Sequence, residues 1–495
     1  MTKPATPGKL VKHSTIYAIG TISRQLVSFL MLPVYTHYMT PADYGVVGLL
    51  TFTLALMEPF FGARLGDAIP KFYLETDDSV RRRAVLSVAL TITGLISGIA
   101  SLIIFLCRTP ASNLLFGTDQ FGLVVGLFGF QIVTQALEYY GFTFIRLQQK
   151  PILFIVVSLA KLIVQLGMNI WLIAFLRMGV MGVVISGGLS SAIFATALSS
   201  YILKSNGYRF DFDLSKRMLA FSWPLWFSGL AGLYIWQSNR YLIRFFGSLD
   251  QVGLYELALK FASILTFLVW SPFTQVWDVE RFNYHKDQNA KQIFSNVFRI
   301  MSVFLVVIAL GISIFATPTI QLMSAPSFHG ATASVPFLVL ASIFSCLVNY
   351  ANFSFLISGQ TKRITFNNYV TMGGITVFNL VLIPPYGEKG AAIAIMLAMG
   401  GQFFLVWHAS KTIYDMNIRL NSLFTTLAIA IAGFLVSQLA SQTGEFWLNV
   451  GIQVVIYIFT TVALSVNLWR DPEAHAYLSK VPIPFLNRLP SAKSS

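Results

Sequence analysis

Five basic side chains lie inside long apolar runs of the sequence, where a charge is costly: Arg24, Arg64, Lys161, Arg240 and Lys260. Arg24 comes ten residues after Ser14, where its run begins. At about 1.5 Å of rise per helical residue, the guanidinium then lies roughly 15 Å deep, near the middle of a hydrocarbon core about 30 Å thick. A central Arg or Lys costs about 2.5–3.5 kcal/mol in a bilayer, so such residues face a polar cavity or an ionic partner rather than lipid.

The chemistry that these cations support is the binding of an anionic group. Guanidinium forks match the oxygens of phosphate, and lysines add to the positive field. For Arg24 and Lys161, which lie too deep to reach the surface, a structural ion pair with Glu58 or Glu138 is the alternative. Arg64 lies near the end of its run, so both a cavity role and a head-group contact are open for it.

The carboxylates within the runs suggest a second role, coupling to a cation. Glu58 precedes Pro59, and a proline inside a span frees a backbone carbonyl that can bind an ion or permit a bend. We therefore expect Glu58 and Glu138 to be the candidates for coupling to a proton or sodium gradient, with no other cofactor. Arg244 and Arg299 lie near the ends of their runs, and we expect them to reach the lipid head groups.

The composition describes the elements that must hold these charges. Of the 495 residues, 55% are hydrophobic and only 11% are charged, whereas soluble proteins carry about 25% charged residues. Apolar runs of about 20 residues recur along the whole chain, which predicts an all-α integral membrane protein. The two cysteines, Cys107 and Cys346, provide neither a disulfide framework nor the spacing of metal ligands, so no metal site is predicted.

The sequence predicts about fourteen transmembrane helices with short connections. The first is interpreted as an uncleaved span, because its apolar run is too long for a signal peptide and no cleavage site follows. The predicted spans are residues 14–38, 45–66, 84–106, 119–145, 151–176, 181–203, 218–246, 252–277, 297–317, 332–357, 366–383, 390–410, 422–441 and 449–469.

Lysine and arginine are distributed unevenly over the connecting loops. With the N-terminus placed inside, 24 of them fall on the inner side and only Arg108, Arg177 and Lys389 on the outer side. This bias predicts that both termini are cytoplasmic. It also accounts for most of the net charge of +14, so we expect no nucleic-acid partner.

The sequence repeats itself at a nearly constant offset. The matching segments are YMTPADYGVVGL (38–49) with FGSLDQVGLYEL (246–257) and GVMGVVI (179–185) with GEKGAAI (387–393), both at an offset of 208, and NIWLI (169–173) with NLVLI (379–383) at 210. Spans 1–6 and 7–12 are therefore interpreted as two copies of one unit. Because each copy has an even number of spans, the axis relating them runs along the membrane normal.

The predicted domains follow from this duplication. They are an N-terminal lobe, residues 1–203, a C-terminal lobe, residues 204–417, and an appended segment, residues 418–495, that carries two further spans. Two such lobes enclose a central cavity that can open to either side of the membrane, and this is where we expect the buried cations to meet.

Motifs typical of enzymes are absent from the sequence. It contains no Walker motif, no HExxH, no paired CxxC and no GxSxG. Asp211-Phe212-Asp213 has the DxD form that some glycosyltransferases use to hold a metal, but it stands alone in a short loop. We therefore expect a protein that is not an enzyme.

The junction LPVYTHYMTPADYGVVGLL, residues 32–50, and its echo FSWPLWFSGLAGLYIWQSNRYLIRFFGSLDQVGLYELA, residues 221–258, resemble the Wzx-type polysaccharide transporters. These form part of the multidrug/oligosaccharidyl-lipid/polysaccharide exporter superfamily. The resemblance covers about residues 10–470 and lies in the order and position of permissive motifs.

The resemblance implies a flippase of the bacterial inner membrane. Its substrate would be an undecaprenyl-pyrophosphate-linked repeat unit for O-antigen lipopolysaccharide, capsule or exopolysaccharide, and polysaccharide polymerase and chain-length machinery would be partners besides membrane lipid. Related lipid II flippases carry cavity arginines on spans 1 and 2, which implies this role for Arg24 and Arg64, with Arg240 as the second-lobe counterpart. The alternatives are a lipid II flippase, a cation-coupled small-molecule exporter and a polytopic glycan polymerase or ligase.

Overall fold

The computed structural model describes residues 29–62, 65–75, 78–442 and 444–471. Within these ranges every regular element is helical. The α-helices are α1 (Leu32–Tyr38), α2 (Pro41–Phe61), α3 (Ala68–Leu74), α4 (Ser79–Leu106), α5 (Arg108–Phe116), α6 (Gly122–Leu147), α7 (Pro151–Asn169), α8 (Gly179–Asn206), α9 (Phe212–Gln237), α10 (Asn239–Phe246), α11 (Leu249–Ile264), α12 (Ser271–Tyr284), α13 (Ala290–Met323), α14 (Val335–Ala351), α15 (Phe353–Ile357), α16 (Thr361–Lys411), α17 (Leu420–Ala440) and α18 (Phe446–Trp469). Helices α7 and α11 continue into the π-helical segments Ile170–Phe175 and Leu265–Trp270, and a 3-10 segment, Pro326–Ala333, precedes α14.

Eleven of the described helices are long and apolar enough to cross a membrane. The predicted all-α, multi-pass membrane fold is therefore confirmed. The predicted first span lies mostly outside the described residues, and the seventh corresponds to α9 and α10, which are not among the eleven. The eleventh and twelfth share α16, where Gly387, at φ 56°, interrupts the helix after two prolines. The count of fourteen stays a prediction.

Local sequence signals explain where two of the helices begin. At the start of α2, the Thr40 hydroxyl accepts a hydrogen bond from the Asp43 N–H at 3.2 Å, and the Asp43 carboxylate accepts from the Thr40 N–H at 3.0 Å. This capping box, with Pro41 in the first turn, fixes the helix start. At α9, the Asp211 carboxylate accepts from the Leu214 N–H at 3.0 Å, so the first acid of the DxD motif is a helix cap.

The described residues divide into two compact units. The first comprises the chain up to Leu257 with Met323–Ala331 and Met372–Ala394, and the second comprises Ala258–Leu322, Thr332–Thr371 and the chain from Ile395 onward. The boundaries of these units differ from those of the predicted lobes, residues 1–203 and 204–417. A division of the chain by compactness does not test whether the two lobes are copies of one unit. The duplicated lobes and the appended segment 418–495 stay a prediction.

Each unit has its own core. In the first, the buried Tyr140 hydroxyl accepts a hydrogen bond from the Leu65 N–H at 3.1 Å and bonds the Thr93 hydroxyl at 2.8 Å, which ties α6 to α4 and to the chain before α3. In the second, the Trp277 ring stacks on the Tyr350 ring with centroids 5.7 Å apart. Because buried polar groups need partners, these tyrosines fix the register of their helices as well as filling space.

Residues related by the repeat make equivalent contacts within the first unit. A Cβ at Gly182 would press on Leu172 and Ile173, and a Cβ at Gly390 would overlap the backbone of Leu382 and Ile383. Leu382 and Ile383 are the counterparts of Leu172 and Ile173 at the offset of 210. The same close approach of a glycine to the end of the preceding span thus occurs in both copies, which supports the duplication.

The glycine-paired crossing of α2 and α11 brings two matching segments of the predicted repeat into contact. A Cβ at Gly45 would overlap the Leu249 carbonyl oxygen, and a Cβ at Gly253 would overlap the Pro41 carbonyl oxygen. Gly45 and Gly253 are counterparts at the offset of 208, as are Pro41 and Leu249. The two matching segments therefore meet in a reciprocal contact, which agrees with the predicted duplication.

This crossing predicts that Gly45→Ala destabilises the protein. The added methyl group has to push two backbones apart, and overpacking of this kind costs about 1–3 kcal/mol. Intrinsic helix propensity acts in the opposite direction, because alanine is favoured over glycine in a helix by about 1 kcal/mol. The midpoint of thermal unfolding of the detergent-purified protein measures the net effect, which we expect to be a decrease.

Gly94→Ala is the matched control. Gly94 lies in the middle of α4, and a Cβ there would meet nothing within 4 Å. We expect its unfolding midpoint to equal or exceed that of the unchanged protein. An unfolding midpoint for Gly45→Ala as high as that of Gly94→Ala would show that the crossing tolerates a side chain.

Candidate functional site

A buried ion pair lies beside the glycine-paired crossing. Arg240, in the first turn of α10, pairs through Nε with a carboxylate oxygen of Glu256 on α11, and the side chains are 8% and 16% exposed. The Arg240 Nη1–H groups donate to the Trp236 carbonyl at 3.2 Å and to the side-chain oxygen of Gln237. A guanidinium in this apolar setting thus keeps its charge compensated by one carboxylate and two dipoles.

Glycine makes room for this pair. A Cβ at Gly48 on α2 would overlap the side chain of Glu256. Gly48 and Glu256 are counterparts at the offset of 208, three residues after Gly45 and Gly253 respectively. The contact between the two helices is therefore reciprocal at Gly45 and Gly253. One turn later it is not, because α11 has Glu256 where α2 has Gly48, and the glycine leaves room for the glutamate side chain.

Three consecutive residues at the start of α10 hold the surrounding helices together. The Asn239 amide donates to the Tyr255 hydroxyl on α11 at 2.7 Å, and its oxygen accepts from the Asn379 amide on α16 at 2.7 Å. Two residues later, the Tyr241 hydroxyl bonds the Thr53 hydroxyl on α2 at 2.7 Å. Arg240 lies between them, so its position is set by polar contacts to helices of both predicted lobes.

Helices α9 and α10 follow each other closely along the chain. Helix α9 ends at Gln237 and α10 begins at Asn239, and Ser238 between them has helical backbone angles, φ −63° and ψ −27°. Asn239 and Arg240, both buried in the first turn of α10, contact α16 and α11 respectively. The two helices together correspond to the predicted span 218–246.

Lys161 and Glu138 form a second ion pair between residues that the sequence singled out. The Lys161 ammonium on α7 lies 2.6 and 2.7 Å from the two carboxylate oxygens of Glu138 on α6. Their side chains are 23% and 7% exposed. Of the two roles left open for Lys161, the ion pair with Glu138 is thus present in the structure, and contact with a substrate stays a prediction.

The remaining predicted site residues are placed as follows. Arg24 and Arg64 lie outside the described residues. Glu58 is exposed near the end of α2, and no ion pair between it and another described residue is present. Lys260 is half-buried on α11, four residues after Glu256, and belongs to the second compact unit. The structure therefore brings together Arg240 with Glu256 and Lys161 with Glu138, and the meeting of all five cations in one cavity stays a prediction.

The Arg244 side chain, which was expected to reach lipid head groups, binds a backbone carbonyl of the protein. Its Nε–H donates to the Phe116 carbonyl at 2.8 Å, at the C-terminal end of α5. Gly117 follows with φ 70° and, having no Cβ, leaves the space that the guanidinium fills. A cation at a helix C-terminus compensates the unpaired carbonyls and the helix dipole. This contact joins α10 to α5.

Sequence reasoning missed Asn239, Tyr255 and Asn379, which position Arg240. Their polar types carry no depth information of their own, because an amide or a phenol is common at span ends. The repeat could have pointed to Glu256, since it matches this acid with a glycine, Gly48, at the offset of 208. Among the described residues, no group of three or more His, Cys, Asp or Glu is arranged to hold a metal ion.

Comparison with protein families identifies one match. Residues 10–277, more than half of the chain, match the model of the family described as polysaccharide biosynthesis protein. No curated protein matches the sequence.

Several solved structures share the fold. A lipid II flippase, MurJ, in an inward closed conformation covers 93% of this chain and 99% of its own, with 14% identity and a TM-score of 0.70. An inward-facing multidrug resistance MATE family transporter of the MOP superfamily covers 83% of this chain and 99% of its own, with 14% identity and a TM-score of 0.60. The MATE multidrug transporter DinF-BH, solved in complex with a ligand, covers 84% of this chain and 98% of its own, with 16% identity and a TM-score of 0.59. At these identities the likeness concerns the fold.

The Lys161–Glu138 pair yields a prediction about stability. Glu138→Leu alone leaves an ammonium without its counter-ion inside the protein, and breaking a buried pair in this way costs about 3–5 kcal/mol. Replacing both residues, as Glu138→Leu with Lys161→Met, removes the two charges together, so we expect most of the loss to be recovered. Thermal unfolding in detergent measures both variants, and a double variant no more stable than the single one would contradict a structural ion pair.

Proposed function

The chain belongs to the polysaccharide biosynthesis protein family, and we propose that it is a flippase for undecaprenyl-pyrophosphate-linked oligosaccharide repeat units. It moves them from the cytoplasmic to the periplasmic leaflet for the assembly of O-antigen, capsule or exopolysaccharide. The multi-pass fold supports this proposal, because it is similar to the folds of a lipid II flippase and of multidrug transporters. The proposed location is the bacterial inner membrane with both termini cytoplasmic, which the bias of 24 inner to three outer basic loop residues supports.

The observation that carries the proposal is the buried Arg240 guanidinium beside the α2–α11 crossing. Its Nε and Nη1 groups are engaged by Glu256, Trp236 and Gln237, whereas Nη2 has no hydrogen-bond acceptor among the described residues. A diphosphate presents several anionic oxygens and binds a guanidinium through two of its N–H groups at once. In the proposed mechanism the diphosphate takes the place of Glu256 on Arg240.

Exchange of partners at Arg240 links substrate binding to movement. With Glu256 on Arg240, the start of α10 is tied to α11, and α11 lies against α2 at the two glycines. When a diphosphate occupies Arg240, the carboxylate loses its partner and favours a conformation in which water can solvate it. The α2–α11 crossing is then free to separate, which is the movement that alternating access between two lobes requires.

The charge bias indicates that this crossing lies towards the outer side of the membrane. Helices α2 and α11 both begin there, and they touch within about two turns of their N-terminal ends. We infer that the conformation described is the one closed towards the periplasm. Arg24 and Arg64 would bind the same diphosphate from the first two spans, while Lys161 and Lys260 would add to the positive field. Glu58 and Glu138 stay candidates for proton or sodium coupling.

A lipid II flippase is the second candidate function. The similarity to the MurJ fold favours it, because lipid II flippase is the activity named for that structure. The family match to polysaccharide biosynthesis favours an oligosaccharide repeat unit instead. A glycan polymerase or ligase lacks comparable support, because the DxD acid Asp211 is engaged as the cap of α9. Polysaccharide polymerase and chain-length machinery would act on the product at the outer leaflet.

The proposed function predicts the phenotype of Arg240→Gln combined with Glu256→Gln. The double variant removes both charges with little change in shape, so it leaves no unpaired charge inside the protein and should accumulate to a normal level. Because the diphosphate loses its guanidinium, its binding should weaken at least about tenfold, and we expect surface glycan to fall accordingly. Single lipid-linked repeat units should accumulate in the inner leaflet.

The readouts separate the candidate functions. A polymerase defect would leave single repeat units at the cell surface, and a lipid II flippase defect would stop growth. Arg217→Gln, which removes an exposed arginine of α9, controls for the loss of positive charge and should export normally. Unimpaired export by the double variant at normal protein level would refute the role of Arg240.

A further inference from the structure

A basic recess of about 640 Å³ lies in the second compact unit, where four segments of the chain meet. Its lining residues come from α13, from the end of α16 with the loop that follows, from the start of α17 and from the end of α18. None of these residues belongs to the Arg240 cluster, so an inference about this recess does not depend on the proposed function.

The charged groups of the recess are predominantly positive. Arg299 on α13 forms an ion pair with Asp471, which follows α18. Lys411 and Arg419 also line the recess, at the end of α16 and immediately before α17. Among the described residues that line the recess there are three cations and one carboxylate, and this net positive charge favours an anion.

Neutral groups in the recess suit a phosphate ester. The Lys411 ammonium lies 3.9 Å from the centre of the Trp407 ring, whose N–H donates to the Ile418 carbonyl at 3.3 Å. The indole thus holds the ammonium end of the lysine side chain beside the recess. Asn421 and Ser422, which also line the recess, add hydrogen-bond donors beside Arg419.

The surroundings of the recess are those of a membrane interface. Helices α17 and α18 both have the length and composition of membrane spans, and they expose large apolar side chains along their length, such as Leu435 (54%) and Val455 (66%). Phe424, half-exposed, forms an apolar wall of the recess and stacks on Phe404 with ring centroids 6.1 Å apart. A ligand here can place an anionic group against the cations and acyl chains against the two spans.

We propose that this recess binds the phosphate of an anionic phospholipid head group. The loop bias places Lys411 and Arg419 on the cytoplasmic side, and basic pockets between spans on that side bind anionic head groups. A soluble phosphate ester shares the same chemistry, but it would gain nothing from Phe424 and the apolar faces of α17 and α18. The bound lipid links the loop between α16 and α17 to the end of α18 and stabilises the second unit.

Lipid titrations of the detergent-purified full chain test the proposal. Phosphatidylglycerol, phosphatidylcholine and inorganic phosphate are added in separate series, and the midpoint of thermal unfolding is measured. Phosphatidylglycerol should raise the midpoint of the unchanged protein and phosphatidylcholine should not. In Lys411→Gln/Arg419→Gln the apparent affinity for phosphatidylglycerol should fall at least about tenfold, since two basic contacts to the anionic group are lost.

A matched charge control is available on the same predicted side of the membrane. Lys362→Gln/Arg363→Gln removes two exposed cations at the start of α16 that do not line the recess, and its apparent affinity should stay within about twofold. An equal loss of affinity in both double variants would overturn the proposal, as would an equal response to phosphatidylcholine. If inorganic phosphate raises the unfolding midpoint and Lys411→Gln/Arg419→Gln abolishes that rise, the recess binds soluble phosphate esters. If phosphatidylglycerol raises the midpoint and inorganic phosphate does not, the recess binds lipid.

Discussion

The close approach of α2 and α11 at Gly45 and Gly253 is the constraint on which the rest of the first unit depends. Neither helix could carry a Cβ at that position, because each glycine faces a backbone carbonyl of the other helix. In a bilayer, helix association relies on such close packing, since apolar side chains gain little by leaving lipid. The capping box at Thr40 and Asp43 fixes the start of α2 and therefore the register in which the glycines meet.

The same crossing explains how the chain tolerates charge inside the membrane. One turn beyond the glycines, Gly48 leaves the space that Glu256 occupies, and Glu256 compensates Arg240. The pair is then surrounded by the amide and hydroxyl contacts of Asn239 and its neighbours, which fix its geometry. In the proposed mechanism, Arg240 exchanges Glu256 for the diphosphate of the substrate as its ionic partner.

Much of the fold could be predicted from the sequence, because span length and apolar content are read directly from the chain. The repeat, detected from weak matches at offsets of 208 and 210, anticipated that Gly45 and Gly253 are counterparts but not that they touch, which depends on how the helices pack. Arg240 was identified from its depth and from the family resemblance, whereas its partners were not, since they come from three different helices whose packing the sequence does not give. For Lys161 the sequence offered Glu58 or Glu138 as an ionic partner, and the packing of α7 against α6 selects Glu138.

Translocation by the purified protein tests the central claim most directly. The full chain is reconstituted into vesicles that contain a fluorescent undecaprenyl-pyrophosphate-linked oligosaccharide in both leaflets, and a reductant that does not cross the membrane is then added. If the chain is a flippase for this substrate, fluorescence from both leaflets is lost, because inner-leaflet lipid becomes exposed during the measurement. Loss of the outer-leaflet signal alone, as in vesicles without protein, would contradict the account.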